Sequence, residues 1–145
     1  MTELERARTV VAELLEKDAF SNWLGVEVVQ AKPGMAKVRM TVRKEMLNGH
    51  GLCHGGVTFA LADTALAFAA NAHGRLATSI ECSITYPAPV QEGDVLTARV
   101  EEQALRSRLG IYSVTIENAA HRKVGLFHGI VYRADKEPHP EKSHT

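Results

Sequence analysis

Apolar residues recur at three- and four-residue intervals at the start of the chain, at Leu4, Ala7, Val11, Leu14 and Leu15. That is the period of one helix face, and Thr2 followed three residues later by Glu5 makes a capping box ahead of it. The spacing predicts an amphipathic helix over residues 3–18. After Phe20 and Trp23 the period changes. Residues 24–31 are a β-branched run, Lys32-Pro33-Gly34 carries the Pro and Gly of a type II turn, and Ala36, Val38, Met40 and Val42 alternate with Lys37, Arg39, Thr41 and Arg43. The two runs predict a hairpin with one wet face. Asn48-Gly49-His50-Gly51 then breaks regular structure, and Gly55-Gly56 opens an apolar, alanine-rich stretch over residues 57–72 that ends near His73-Gly74. At 16 residues, with Asp63 in its middle, it falls short of the roughly 20 apolar residues of a membrane span. It predicts a buried core helix.

Four further strands are expected. Alternation over residues 77–86 puts Thr78, Ile80, Cys82, Ile84 and Tyr86 on one face and Ser79, Glu81, Ser83 and Thr85 on the other; residues 95–105, 110–118 and 125–133 follow. The order is α-β-β-α-β-β-β-β. Strands joined without intervening helices pair mainly antiparallel, and one long helix beside one sheet gives a two-layer α+β domain over residues 1–133. Residues 134–145, charged and rich in Pro and His, predict a disordered tail. One helix covers only part of such a sheet, so the remaining apolar edge or face argues for a homo-oligomer.

Composition narrows the function. Lys+Arg and Asp+Glu both total 17, so there is no basic footprint for nucleic acid or an anionic membrane surface, and neither partner is expected. Cys53 and Cys82 allow at most one disulfide, and residues 1–17 show no signal-peptide pattern; the expected location is the reducing cytoplasm. The charges are unevenly spread. Residues 46–74 hold a single formal charge, Asp63, where the chain-wide 23% would place about seven. Its helical neighbours at three and four residues are Phe59, Ala60, Leu66 and Ala67, which excludes an ion pair along the helix. Two readings of Asp63 stand: a carboxylate on a narrow polar strip or bonded to a backbone amide, or a buried functional carboxylate. Gly55 and Gly56 likewise fit either a loop-to-helix bend or a cradle whose bare N–H groups meet an anion or a polarised carbonyl. His50, Cys53 and His54 are metal-type ligands, but no second cluster completes a site, so no metal is expected. Cys53 as a nucleophile with His54 as base would need a geometry that adjacent side chains rarely reach.

The run Asn48-Gly-His-Gly-Leu-Cys-His54-Gly55-Gly56, followed by Leu61-Ala62-Asp63-Thr64-Ala65, resembles the signature of the hotdog-fold thioesterases. Within them it is most similar to the PaaI-like subgroup, the phenylacetic acid degradation thioesterases. The likeness extends over about residues 20–133 and includes Arg106-x-Arg108-x-Gly110-Ile111-Tyr112, with no departure at the motif positions. It implies a hotdog fold, a long central helix wrapped by a mainly antiparallel sheet, and hydrolysis of acyl-CoA to free acid and CoA. By the resemblance Asp63 is the catalytic carboxylate, acting as nucleophile or as general base on water. The Gly55 N–H is the oxyanion-hole donor. His54 and Asn48 orient the thioester, and Thr64 holds the carboxylate or water. A thiolate leaves readily, so the chemistry calls for no cofactor. Gly56, and Arg106 and Arg108 as ligands of the CoA phosphates, complete the expected substrate contacts. The expected substrate is an aromatic acyl-CoA such as phenylacetyl-CoA or hydroxyphenylacetyl-CoA, or a medium acyl-CoA. Trp23, Phe59 and Phe68 suit an apolar acyl site or equally core packing. A non-catalytic acyl-CoA-binding module and a hotdog dehydratase remain as alternatives.

Spacing adds a constraint of its own. Gly55 and Asp63 are eight residues apart, about 12 Å along one helix, farther than an Asp side chain reaches. Both can meet one thioester only if two helices run antiparallel across a two-fold, which predicts a homodimer with shared active sites. The family resemblance adds pairing of two such dimers into a tetramer.

Overall fold

The computed structural model describes residues 1–138. Helix α1 (Glu3–Lys17) begins with the predicted capping box: the Glu5 N–H donates to Thr2 Oγ1 (3.1 Å) and the Thr2 N–H to Glu5 Oε1 (2.9 Å). It buries Ala7, Val10 and Val11. Helix α2 (Ala19–Leu24) departs from expectation, because residue 24 ends a helix where a strand was expected to start. Asp18 caps it by accepting from the Ser21 N–H (3.0 Å), and Gly25 closes it at φ 80°. Six residues are too few to show a helical period, so only these cap residues marked it.

Strands β1 (Glu27–Lys32) and β2 (Met35–Thr41) form the expected hairpin, with Gly34 at φ 76° in its turn. Ala36, Val38, Met40 and Val42 are all buried. A short 3₁₀ turn (Lys44–Met46) and a loop lead to α3 (Gly55–Asn71), then to β3 (Ala77–Thr85), β4 (Val95–Leu105), β5 (Leu109–Glu117) and β6 (Lys123–Arg133). The six strands form one sheet in the order β1-β2-β4-β5-β6-β3, antiparallel at every pairing. Helix α3 is the crossover that carries the chain from β2 to the far edge, so this hotdog α+β fold leaves β1 and β3 as its two edges.

The sheet packs along α3 from β2 to β6, while α1 packs against β1 and α3, and α2 against α1 and α3. Leu61, Ala62, Ala65, Leu66 and Ala69 are consequently fully buried. Alanines keep the helix narrow, and a glycine on β6 lets it approach. A Cβ on Gly129 would lie 2.6 Å from Leu66 Cδ2 and 3.1 Å from the Phe127 ring. Gly129→Ala should lower unfolding stability by about 1–3 kcal/mol, read as a lower urea midpoint at unchanged slope.

Strand β3 corrects the predicted alternation. Its pairing with β6 shifts between Ser79 (opposite Val131) and Glu81 (opposite Ile130), a β-bulge at Ile80. The bulge inverts the strand's first half. Ser79 now shares the helix-facing side with Cys82, where strict alternation put them on opposite sides, and Ile80 is 60% exposed.

The charged C-terminal segment is anchored where it starts. The Ala134 N–H donates to Leu76 O (2.8 Å), the Leu76 N–H to Lys136 O (2.7 Å), and Asp135 pairs with Arg108 (2.6 Å). Residues 139–145 of the expected tail lie outside the described residues. No helix among the described residues is long and apolar enough to cross a membrane.

Candidate active site

The loop before α3 is tied by its own polar groups. Asn48 Oδ1 accepts from the N–H groups of His50 (2.8 Å) and Leu52 (3.2 Å), and the Asn48 N–H donates to Leu52 O (2.7 Å). The His54 N–H donates to Met46 O and the Cys53 N–H to Val90 O, both at 2.8 Å, which fixes where the helix begins.

His54 is the N-cap of α3. Its Nδ1 accepts from the Gly56 N–H at 2.9 Å, so the proton of the neutral ring sits on Nε2, which is free to donate outward. Gly56 therefore serves the cap: a Cβ there would stand 2.9 Å from His54 Nδ1. The Val57 N–H is taken by His54 O (2.9 Å). Gly55 differs from both, because its N–H meets no acceptor among the described residues. It is a bare donor at the positive end of a 17-residue helix.

Tyr86, just past β3, is a contact that sequence reasoning missed. Its hydroxyl donates to Gly55 O (2.7 Å), and a Cβ on Gly55 would lie 3.1 Å from the Tyr86 ring carbon and hydroxyl. The Gly55 carbonyl, and with it the Gly55–Gly56 peptide plane, is thus pinned from one side. Nothing in the local pattern around Tyr86 signalled this contact, since it joins residues 31 apart.

Asp63 sits two turns farther along α3, half-buried. The Cys82 thiol points at its Oδ1 (3.9 Å), and among the described residues no cation and no backbone amide partners it. The backbone-bond reading fails on that placement, and Asp63 keeps part of its surface exposed. Burial pushes the Asp63 carboxyl above the usual carboxylate range, and the Ser79 hydroxyl and the Cys82 thiol pull it part of the way back. Thr64 is placed differently from expectation. Its hydroxyl lies 3.1 Å from Ser21 Oγ, which donates to Asp18 Oδ2 (2.6 Å), so it ties α3 to the start of α2.

The structure thus brings His54, Gly55 and Gly56 together at the helix start, holds Asn48 in the loop that leads into it, and leaves Asp63 about 12 Å away along the axis. Arg106 and Arg108 are at the other end of the fold, in the β4–β5 turn beside the segment that follows α3. Arg75 donates to Ser107 O (2.8 Å), Arg133 donates to Arg106 O (2.7 Å), and Arg108 pairs with Asp135. Cys53 is buried with its thiol against Thr58 and the His54 carbonyl, and burial pushes it up, so no thiolate is poised on His54. No three His, Cys, Asp or Glu side chains among the described residues converge as metal ligands. Phe68 is core, and Phe59 packs edge-on against Phe127 at 5.2 Å. Trp23 is half exposed and lies under the Arg43 guanidinium. A concavity of about 570 Å³ between α1 and β1 belongs to the β1 edge, across the sheet from the strand that faces Asp63.

Comparison with known proteins identifies the family and the fold. Residues 50–124 match the thioesterase superfamily. The acyl-coenzyme A thioesterase PaaI of Escherichia coli is 40% identical over 120 residues, covering 83% of this chain and 86% of that one. A putative esterase of Archaeoglobus fulgidus is also 40% identical, covering 86% of this chain and 80% of its own. The structure of E. coli PaaI superposes with a TM-score of 0.91 at 36% identity, over 94% of this chain and 99% of that one.

Proposed function

The chain belongs to the thioesterase superfamily and is an acyl-CoA thioesterase of the PaaI-like type; from that premise we propose that its active site is shared between two chains, with Asp63 of one opposite Gly55 of the other. The observation that carries this reading is the uncompensated Asp63 carboxylate on the same helix as the bare Gly55 N–H, too far along the axis to serve one carbonyl. Hydrolysis over a binding module or a dehydratase follows from the likeness to thioesterases.

In the proposed reaction the thioester carbonyl oxygen accepts from the Gly55 N–H, which stabilises the oxyanion as it forms. Asp63 either attacks the carbonyl carbon or takes a proton from the attacking water. In both routes the C–S bond breaks and CoA leaves as thiolate, to be protonated by solvent. When water attacks, the free acid forms directly; when Asp63 attacks, an acyl-aspartyl anhydride forms that water then hydrolyses to the free acid and the regenerated carboxylate. His54, through its Nε2–H, and Asn48, through its side-chain amide, orient the thioester; Gly56 contributes by holding the His54 ring. Thr64 contributes by fixing α3 against Ser21.

Strand β3 supports a two-fold assembly, because it is an unpaired edge with Ile80 (60%) and Tyr86 (47%) exposed and with its inner face against Asp63. Leu109, Leu126 and Tyr132, exposed on the sheet face away from α3, support pairing of two dimers into a tetramer. Two free cysteines fit a cytoplasmic setting.

The proposed substrate is an aromatic acyl-CoA such as phenylacetyl-CoA or hydroxyphenylacetyl-CoA, or a medium acyl-CoA. A thiol-release assay across an acyl-CoA panel tests this; highest kcat/KM on short or long straight chains would overturn it. Arg106 and Arg108 are proposed to meet the CoA phosphates, with Asp135 holding Arg108 in place of an anion. Replacing both arginines with Ala should raise KM several-fold with kcat nearly unchanged, and an unaltered KM would remove them from the site.

A further inference from the structure

The bulge at Ile80 has a consequence at Asp63. Without it, Ser79 and Cys82 would point to opposite sides of β3; with it, both turn to the α3 side, where the Cys82 thiol lies 3.9 Å from Asp63 Oδ1. Gly129, opposite Cys82 on β6, is part of the same arrangement: a Cβ there would lie 3.5 Å from Cys82 Sγ and would crowd Leu66 beneath it. The thiol is thus seated between a bare stretch of β6 and the carboxylate. It is a weak donor, and the groups around it keep it protonated. Burial and the Asp63 charge both push the Cys82 thiol up, with Glu81 adding to the same direction.

We propose that Cys82, with Ser79, is a positioning residue that orients the Asp63 carboxylate through a weak thiol donor without neutralising it. The inference rests on the reading of Asp63 as the reacting carboxylate. A cation or a cluster of backbone amides would hold a carboxylate more firmly, but would also stabilise its charge and make it a poorer base or nucleophile. A thiol supplies direction with little of that stabilisation. The charged groups of the neighbouring elements are engaged elsewhere. On α3 the positions three and four residues from Asp63 are Phe59, Ala60, Leu66 and Ala67. From β3 the titratable groups are Cys82, which acts on Asp63, and Glu81, which acts on Cys82. From α2, Asp18 is engaged with Ser21 and reaches α3 only at Thr64. On β6, His128 pairs with Ser83 on the outer face. Toward the end of α3, Glu102 of β4 is bound by His73 and by Tyr112 of β5, and Arg133 donates to Arg106 O.

The test is the pH profile of kcat for Cys82→Val, Cys82→Ser and Ser79→Ala beside the wild type and Asp63→Asn. Val fills the site without a donor, so the acidic limb, where ionised Asp63 is required, should move to higher pH by about half a unit or more, with KM unchanged. Ser79→Ala should move it the same way. Ser restores a donor and should leave the limb at or below its wild-type position. A merely structural cysteine would lower kcat in both Cys82 variants without moving the limb. The inference is overturned if Val leaves the limb in place, or if Val and Ser displace it equally. Where Val disturbs the strand, as circular dichroism would report, Cys82→Ala takes its place with the same expected direction. Asp63→Asn separates the two levels. If it stays active, the reading of Asp63 fails; if it is inactive while the Cys82 variants keep the wild-type profile, only the inference drawn here fails.

Discussion

Asp63→Asn lowers kcat on the best acyl-CoA by at least about 100-fold, with KM little changed. The substitution preserves the shape of the side chain and removes the only formal charge of α3. It therefore isolates the function of the charge from any loss of packing. A variant within a few-fold of wild type would end the assignment. The same substitution should leave the fold more stable at neutral pH. Burial raises the folded-state pKa of Asp63 above its unfolded value, so between the two values the folded chain binds more proton than the unfolded chain. Stability then falls as pH rises through that window, and above it the ionised carboxylate is a constant burden. Asn carries no such burden. Its melting temperature should exceed that of the wild type by a few degrees at pH 7, and the gap should close as pH falls below the ordinary carboxylate range. A gain in stability together with the loss of turnover would mark a group retained for chemistry.

Mixing two inactive proteins should restore about a quarter of wild-type activity. Asp63→Ala removes the carboxylate, and Gly55→Pro removes the backbone donor at the first residue of α3, where the helix itself accepts Pro and the Tyr86 ring must give by a few tenths of an ångström. If Asp63 of one chain serves a thioester held by Gly55 of the other, a mixed dimer has one intact site and one doubly defective site. Random exchange makes half of the dimers mixed, each with one working site of two, which gives the quarter when sites act independently. Subunit exchange and the folding of the Pro variant are verified first by mass spectrometry and circular dichroism. Zero recovery would then place both groups in one chain, against the axial separation of about 12 Å.

The regular elements were legible wherever the pattern ran for several periods. Helix α1 with its capping box, the β1–β2 hairpin with its turn glycine, and the start of α3 at Gly55 all agree with the sequence reading. What the pattern missed is short or non-local. Helix α2 spans less than two turns. The bulge at Ile80 depends on how β3 meets β6, and a register shift leaves no mark on a strand whose face at that point is exposed on both sides. The site divides the same way. Asp63 stood out through the absence of neighbouring charge, and the Gly55-Gly56 pair through its place at the helix start. The opposite tasks of the two glycines, one N–H bare and one consumed by the His54 cap, were visible only once the ring was placed. Tyr86 and Cys82 reach the site from another element, and Thr64 turned out to serve α2.

The edge position of β3 also bears on the order in which the molecule matures. Its partner within the chain is β6, some 40 residues later, and the strands between them close first among themselves through short connections. Cys82 is only 19 residues from Asp63, but the register of the strand that carries it depends on β6, a pairing of larger sequence separation that pays more loop-closure entropy than the local hairpins. If a second chain then supplies the opposite helix start, competence for hydrolysis arrives after native-like secondary structure, in a step whose rate depends on protein concentration. Newly made chains would pass through an interval in which they are folded and inert.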